Sequence, residues 1–130
     1  MISSDPGGPA MSVAAHTVHY MEIVTHAVES TRDFLAAVHG WEFSKAKPLL
    51  GNAVVAELAD GSRCGIRAPM NPQERPIVRN YFRVDDVEAE SKKAVDAGAI
   101  LALPPTPLGD QGTVAIYIVG GVELGIWQLP

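Results

Sequence analysis

Residues 60–70, DGSRCGIRAPM, and residues 120–130, GGVELGIWQLP, are built alike. In each, a turn glycine (Gly61, Gly121) stands four residues before a Gly-Ile pair (Gly65-Ile66, Gly125-Ile126). Asp60-Gly61 and Gly120-Gly121 are hairpin signals, since both pairs tolerate the positive φ of a tight reversal. Ala53 to Leu58 therefore reads as a strand entering the first turn, and Arg63 to Arg67 as the strand leaving it. Thr113 to Val119 and Val122 to Gln128 take the same places around the second turn.

The repeat extends upstream of both hairpins. Val18 to Thr25 is apolar and β-branched with polar residues interspersed, the pattern of a strand. A helix follows, opening at Glu29 or Ser30, with Phe34, Leu35 and Val38 on its apolar face and Gly40 as its stop. Trp41 to Ser44 is expected to be a short strand. In the second half, Ile77 to Val84 reads as a strand and Asp85-Asp86 as a turn. Val87 to Ala97 reads as a helix with Ala89, Ala94 and Val95 inward, stopped by Gly98. Ile100 to Leu103 is a short strand, and Pro104 to Gly112 a loop. Gly40 and Gly98 lie 58 residues apart (98 − 40), and Gly65 and Gly125 lie 60 apart (125 − 65). The shared order and near-constant offset predict an α+β domain made of two β-α-β-β-β modules. The alternative is an unduplicated α+β sandwich with two helices. Module boundaries fall at 16–68 and 77–130, joined by a Pro-containing linker at 69–76 and preceded by a flexible tail at 1–15.

Composition narrows the function classes. The chain has 130 residues, 47% hydrophobic and 19% charged, which fits one globular domain with a buried core. No apolar run approaches the roughly 18–20 residues that cross a bilayer. The net charge is −5 and the basic residues are scattered, so no nucleic-acid surface is expected. Such a chain suits a soluble protein that handles small molecules. Cys64 stands alone and cannot close an internal disulfide. Residues 1–15 lack the basic start and apolar stretch of a secretory signal, so a cytoplasmic protein is expected.

Tyr20-Met21-Glu22-Ile23-Val24-Thr25, Asp33-Phe34-Leu35 and Gly40-Trp41-Glu42-Phe43 resemble the opening of the vicinal oxygen chelate superfamily. That superfamily includes glyoxalase I, bleomycin-resistance proteins and extradiol dioxygenases. In the second half, Tyr81 to Val87, Ala97-Gly98-Ala99, Pro104-Pro105-Thr106 and Gly125-Ile126-Trp127-Gln128 are similar to the same signature. The resemblance covers about residues 18–130 and is nearest to glyoxalase-like members described as hydroxylases. It implies two modules whose strands form a curved, partly closed mixed sheet, a cup with helices outside. It also implies a homodimer, as many members form. Fold alone does not fix function on a scaffold with several chemistries.

In metal-dependent members, ligands project from the first and last strands of each module. Carried onto this chain, the four positions fall on Tyr20, Gly65, Arg79 (or Asn80 after a one-residue slip) and Gly125. Glycine offers no side chain and arginine repels a cation, so no metal and no cofactor are expected. His16, His19, His26 and His39 show no H-x-x-x-H spacing and read as surface or strand-end residues. A slip of one residue would turn His19 into the cup.

Strand alternation puts Tyr20 and Glu22 on one face with Val24. It groups Arg79, Tyr81 and Arg83, sets Arg63 and Arg67 about Gly65, and sets Glu123 and Trp127 about Gly125. Those residues are the candidate ligand-binding set, suited to a small molecule with a ring and an anionic group. Glycines at 65 and 125 are expected to leave room in the cup. Glu22 is the candidate catalytic base, with an internal salt bridge to Arg79 or Arg83 as the competing role. Three functions remain open: metal-free small-molecule binding in the manner of bleomycin-resistance proteins, an enzyme (a metal-dependent lyase or dioxygenase, or metal-free with Glu22 as base), and a non-catalytic dimeric interaction module.

Overall fold

A computed structural model describes residues 12–130. In chain order the elements are β1 (Val18–Val24), α1 (Val28–His39), β2 (Val54–Glu57), β3 (Arg63–Arg67), β4 (Ile77–Arg83), α2 (Val87–Asp96), β5 (Ile100–Pro107), β6 (Thr113–Val119) and β7 (Val122–Gln128). Single 3₁₀ turns lie at Pro48–Leu50 and Gly109–Gln111. The strands form one mixed seven-stranded sheet in the order β2-β3-β1-β4-β7-β6-β5, with β2 and β5 at its open edges.

The order displays the duplication. Within the first half β1 pairs with β3 in parallel and β3 with β2 antiparallel; within the second, β4 pairs with β7 in parallel and β7 with β6 antiparallel. The halves meet in an antiparallel seam between β1 and β4. Across it Glu22 faces Arg79 and Tyr20 faces Tyr81. Glu22 pairs outward with Gly65, and Tyr81 pairs outward with Gly125. The register therefore makes Glu22 the counterpart of Tyr81, and Tyr20 the counterpart of Arg79.

Two cores result from strands buried on both faces. On the concave side Tyr20, Leu50, Ala53, Val55, Tyr81, Val114 and Trp127 pack together. On the outer side Val84, Val87, Ala115 and Ile126 pack beneath α2. The alternation of β6 divides its residues between them: Val114 and Ile116 face the cup, whereas Ala115 and Tyr117 face α2. Two orphan N–H groups at the start of α2 are satisfied by side chains: Ala89 donates to Asp86 at 3.1 Å, and Val87 to Gln128 Oε1 at 2.9 Å. Gly40 ends α1 at φ 72°, a left-handed conformation that favours glycine.

Several expectations are corrected. Trp41 to Ser44 makes only an isolated bridge, Phe43 to Ala56. Ser44 Oγ accepts the Val55 N–H at 3.1 Å, taking a donor that a continued ladder would use. β5 runs on through Pro104 and Pro105 to Pro107, because an edge strand can spare the N–H groups that proline lacks. On α2 the inward residues are Val87 and Ser91, with Ala94 half-buried; Ala89 and Val95 are exposed. On α1 Leu35 is half-buried, but Phe34 and Val38 are 63% and 57% exposed. Of the tail at 1–15, residues 1–11 lie outside the described residues. At its inner end Val13 is buried, and its carbonyl accepts from Arg83 Nη1 at 2.6 Å. No helix among the described residues is long and apolar enough to cross a membrane.

The cap of α2 gives a direct check. Replacing Asp86 by Ala is expected to cost about 1 kcal/mol, read as a lower urea midpoint at unchanged slope.

Candidate functional site

The concave side of the sheet holds a cavity of about 270 Å³. Its polar floor is Tyr20 and Glu22 from β1, Arg67 from β3, and Arg79 and Tyr81 from β4. Its walls are apolar: Leu49 and Leu50 from the 3₁₀ turn, Leu103 from β5, and Val114 and Ile116 from β6. Met70 and Glu74 reach in from the linker between the halves.

A chain of five charged groups crosses the floor. Glu22 is 8% exposed, and its Oε2 accepts from Arg67 Nε at 2.8 Å. Its Oε1 accepts from Arg79 Nη1 and from Tyr81 Oη at 3.3 Å. Arg67 continues outward in a two-pronged pair with Glu74, Nη1 to Oε1 at 2.8 Å and Nη2 to Oε2 at 2.7 Å. Arg79 continues the other way to Glu123 Oε1, at 3.0 Å from Nε and 2.6 Å from Nη2. Hydrogen bonding to Arg67 holds the Glu74 carboxyl down to about 2 and raises Arg67 further above the ordinary arginine range. Burial, with Glu22 adding to it, pushes Tyr20 and Tyr81 well above the ordinary phenol range, so both hydroxyls stay protonated.

The two glycines are open to tyrosine, not to a ligand. A Cβ at Gly65 would overlap Tyr20 Oη, and a Cβ at Gly125 would overlap the ring of Tyr81. The rings pack with Trp127, at centroid separations of 4.9 Å for Tyr20 and 5.4 Å for Tyr81. The room expected at 65 and 125 is thus filled by aromatic core. Tyr20 is 2% exposed, and its hydroxyl has no hydrogen-bond partner among the described residues. These residues do not fit a divalent cation. The four positions where the resemblance places ligands carry tyrosine, arginine and two covered glycines, and the neighbouring carboxylate, Glu22, is bracketed by guanidiniums. Among the described residues no three His, Cys, Asp or Glu side chains converge as a metal site.

The structure brings Tyr20, Glu22, Arg67, Arg79, Tyr81 and Trp127 to the cavity, and Glu123 ties to it through Arg79. It does not bring Arg63 or Arg83 there. β1 carries a register shift between Val18 and Tyr20, beside the end of β4, and Arg83 turns back to the Val13 carbonyl. Arg63 reaches Gln111 Oε1 at 3.3 Å and lines a separate hollow with His19. His19 is not a surface residue: it is 6% exposed and edge-on to Trp127 at 5.3 Å. Burial, then Arg63 and Arg83, push it down to about 4. Cys64 is fully buried, and burial pushes its thiol up to about 11. Sequence reasoning missed Glu74 and the 48–50 turn, which carry no periodic signal. It also missed Leu103, Val114 and Ile116, whose alternation was there to be read.

No protein-family model matches the chain. Over 119 residues it is 29% identical to proteins of Mycobacterium bovis and Mycobacterium tuberculosis named "Putative glyoxylase CFP32". The match covers 86% of this chain and 45% of theirs, so the chain spans about half the length of these curated relatives. Among solved structures, a hypothetical protein from Bacillus halodurans superposes with a TM-score of 0.72 at 12% identity, covering 88% of this chain and 94% of that one. Methylmalonyl-CoA epimerase of Streptomyces coelicolor, in complex with 2-nitronate-propionyl-CoA, gives 0.67 at 14%, covering 89% and 99%. The Mycobacterium tuberculosis epimerase gives 0.68 at 15%, covering 95% and 94%. The duplicated sheet and these superpositions define a protein of the vicinal oxygen chelate fold. Its sequence is similar to about half the length of the two mycobacterial proteins.

Two checks follow from this packing. Gly65→Ala is expected to cost about 1–3 kcal/mol by overpacking. In a Tyr20→Ala background the same change costs close to nothing, a coupling that a double-mutant cycle in urea reads directly. His19 binds its proton less readily folded (about 4) than unfolded (6.5). Stability therefore falls as pH drops from 6.5 toward 4 and gains no further slope from His19 below that. Between pH 6.5 and 5 the loss is of order 1 kcal/mol; His19→Phe is expected to flatten it.

Proposed function

We propose that the cup binds a small organic molecule with an apolar or aromatic body, and does so without a metal ion. The observation that carries this reading is a cavity with aliphatic walls over a floor that carries the side chains of Tyr20, Tyr81 and Trp127 beside Arg67 and Arg79. Aromatic and aliphatic surface suits an apolar body, and guanidiniums beside it suit a polar head group. The volume, about 270 Å³, lies near the small end of ligand pockets. The non-fitting donor set supports the metal-free part. Glyoxalase-like sequence and epimerase-like fold leave an enzyme as the second reading. A base role for Glu22 draws little from the geometry, since Arg67, Arg79 and Tyr81 already occupy both of its oxygens. A cytoplasmic homodimer belongs to the same proposal, and the exposed Phe34 and Val38 of α1 are apolar surface available to such a contact.

Thermal unfolding against a panel of small aromatics tests the binding reading. A ligand at 100 times its Kd stabilises by about 2.7 kcal/mol, and Ile116→Trp, which fills the cavity, is expected to abolish the shift. Uniform silence across the panel would sink it. Incubation with nickel, zinc, iron or manganese followed by dialysis is expected to leave substoichiometric metal; near-stoichiometric retention would overturn the metal-free part.

A further inference from the structure

The linker at 69–76 is not a plain spacer. It places one carboxylate, Glu74, on the outer face of Arg67, where both oxygens meet both terminal nitrogens. Arg67 is 5% exposed, and Glu74 and Met70 both form part of the cavity wall. We propose that Glu74 occupies the place of a ligand carboxylate, and that the cup takes an apolar or aromatic monocarboxylate by exchanging it for Glu74 on Arg67. This rests on the small-molecule reading above and names the ligand's head group.

Charge balance decides that the mode is exchange rather than addition. The floor carries three carboxylates (Glu22, Glu74, Glu123) against two guanidiniums (Arg67, Arg79), one negative charge in excess. A second uncompensated anion in a part-buried site is costly. With Glu74 withdrawn, the remaining four groups balance, and an incoming carboxylate restores the original charge and the same two-pronged geometry. Glu74 is also the partner built to leave. Glu22 sits on the central strand under Arg67, Arg79 and Tyr81. Glu74 sits on a loop held by local bonds: Asn71 Oδ1 accepts from Gln73 N at 3.0 Å and Glu74 N at 2.9 Å, and Met70 N donates to Glu74 Oε1 at 2.7 Å. Met70, whose side chain lines the cavity, is 65% exposed, so little packing holds that side of the loop down.

Calorimetric titration of the whole chain and of Glu74→Gln with benzoate, and with benzamide as the uncharged control, tests the exchange. Glu74→Gln is expected to bind benzoate about tenfold tighter than the wild type, which is 1.4 kcal/mol of relieved competition, with benzamide unchanged. Equal or weaker benzoate binding by the variant overturns the exchange; benzamide binding to both proteins would then leave the small-molecule reading standing. Absence of binding by either compound to either protein overturns both. A second measurement needs no variant. Benzoate is expected to strip hydrogen-exchange protection from the Met70 amide of the wild type, and retained protection in the benzoate-saturated protein would overturn the exchange.

Discussion

The antiparallel seam between β1 and β4 is the constraint on which the rest of the molecule depends. Among the described residues it is the only strand pairing that joins the two halves into one sheet. Its register also decides what meets on the concave face. Glu22 opposite Arg79 and Tyr20 opposite Tyr81 place a charged pair and an aromatic pair side by side. A one-residue slip would turn all four to the other face and expose the helix-packing residues to the cup. The buried ion pair adds little net stability once desolvation is counted, but a register that separates Glu22 from Arg79 breaks a buried charge-assisted contact. Its effect is to penalise wrong registers.

Outward from the seam, the same logic shapes the site. Arg67 and Arg79 bracket Glu22, and each finds a second carboxylate, Glu74 on one side and Glu123 on the other. A low-dielectric floor keeps such a chain only when every member is satisfied. Beside it the Tyr20 hydroxyl is buried against Gly65 with no hydrogen-bond partner among the described residues. The cup therefore combines a polar floor of paired charges with aliphatic walls.

The fold was legible because its signals were local and occurred twice. Gly61 before Gly65-Ile66 and Gly121 before Gly125-Ile126 set the hairpins, and Gly40 and Gly98 set the helix ends. Illegible were the places where tertiary context overrode local pattern. Pro104, Pro105 and Pro107 look like a loop until an edge position makes their missing N–H groups harmless. Trp41 to Ser44 looks like a strand until Ser44 Oγ takes the donor from β2. The site was half legible for the same reason. Alternation could place Tyr20, Glu22, Arg79 and Tyr81 on one face, because regular strands preserve it. It could not place Arg83, which lies beside a register shift, nor Glu74, whose reach to Arg67 depends on how an aperiodic loop returns over the sheet.

The pairing of each tyrosine with a glycine also couples the two positions to each other. A histidine or glutamate arriving at 65 or 125 meets an aromatic side chain already in its space. A tyrosine lost first leaves a hole in the core that joins the two halves. Either order passes through a weakened chain. Positions 65 and 125 filled in this way resist single substitution: a side chain enters either one only when the tyrosine over it changes as well.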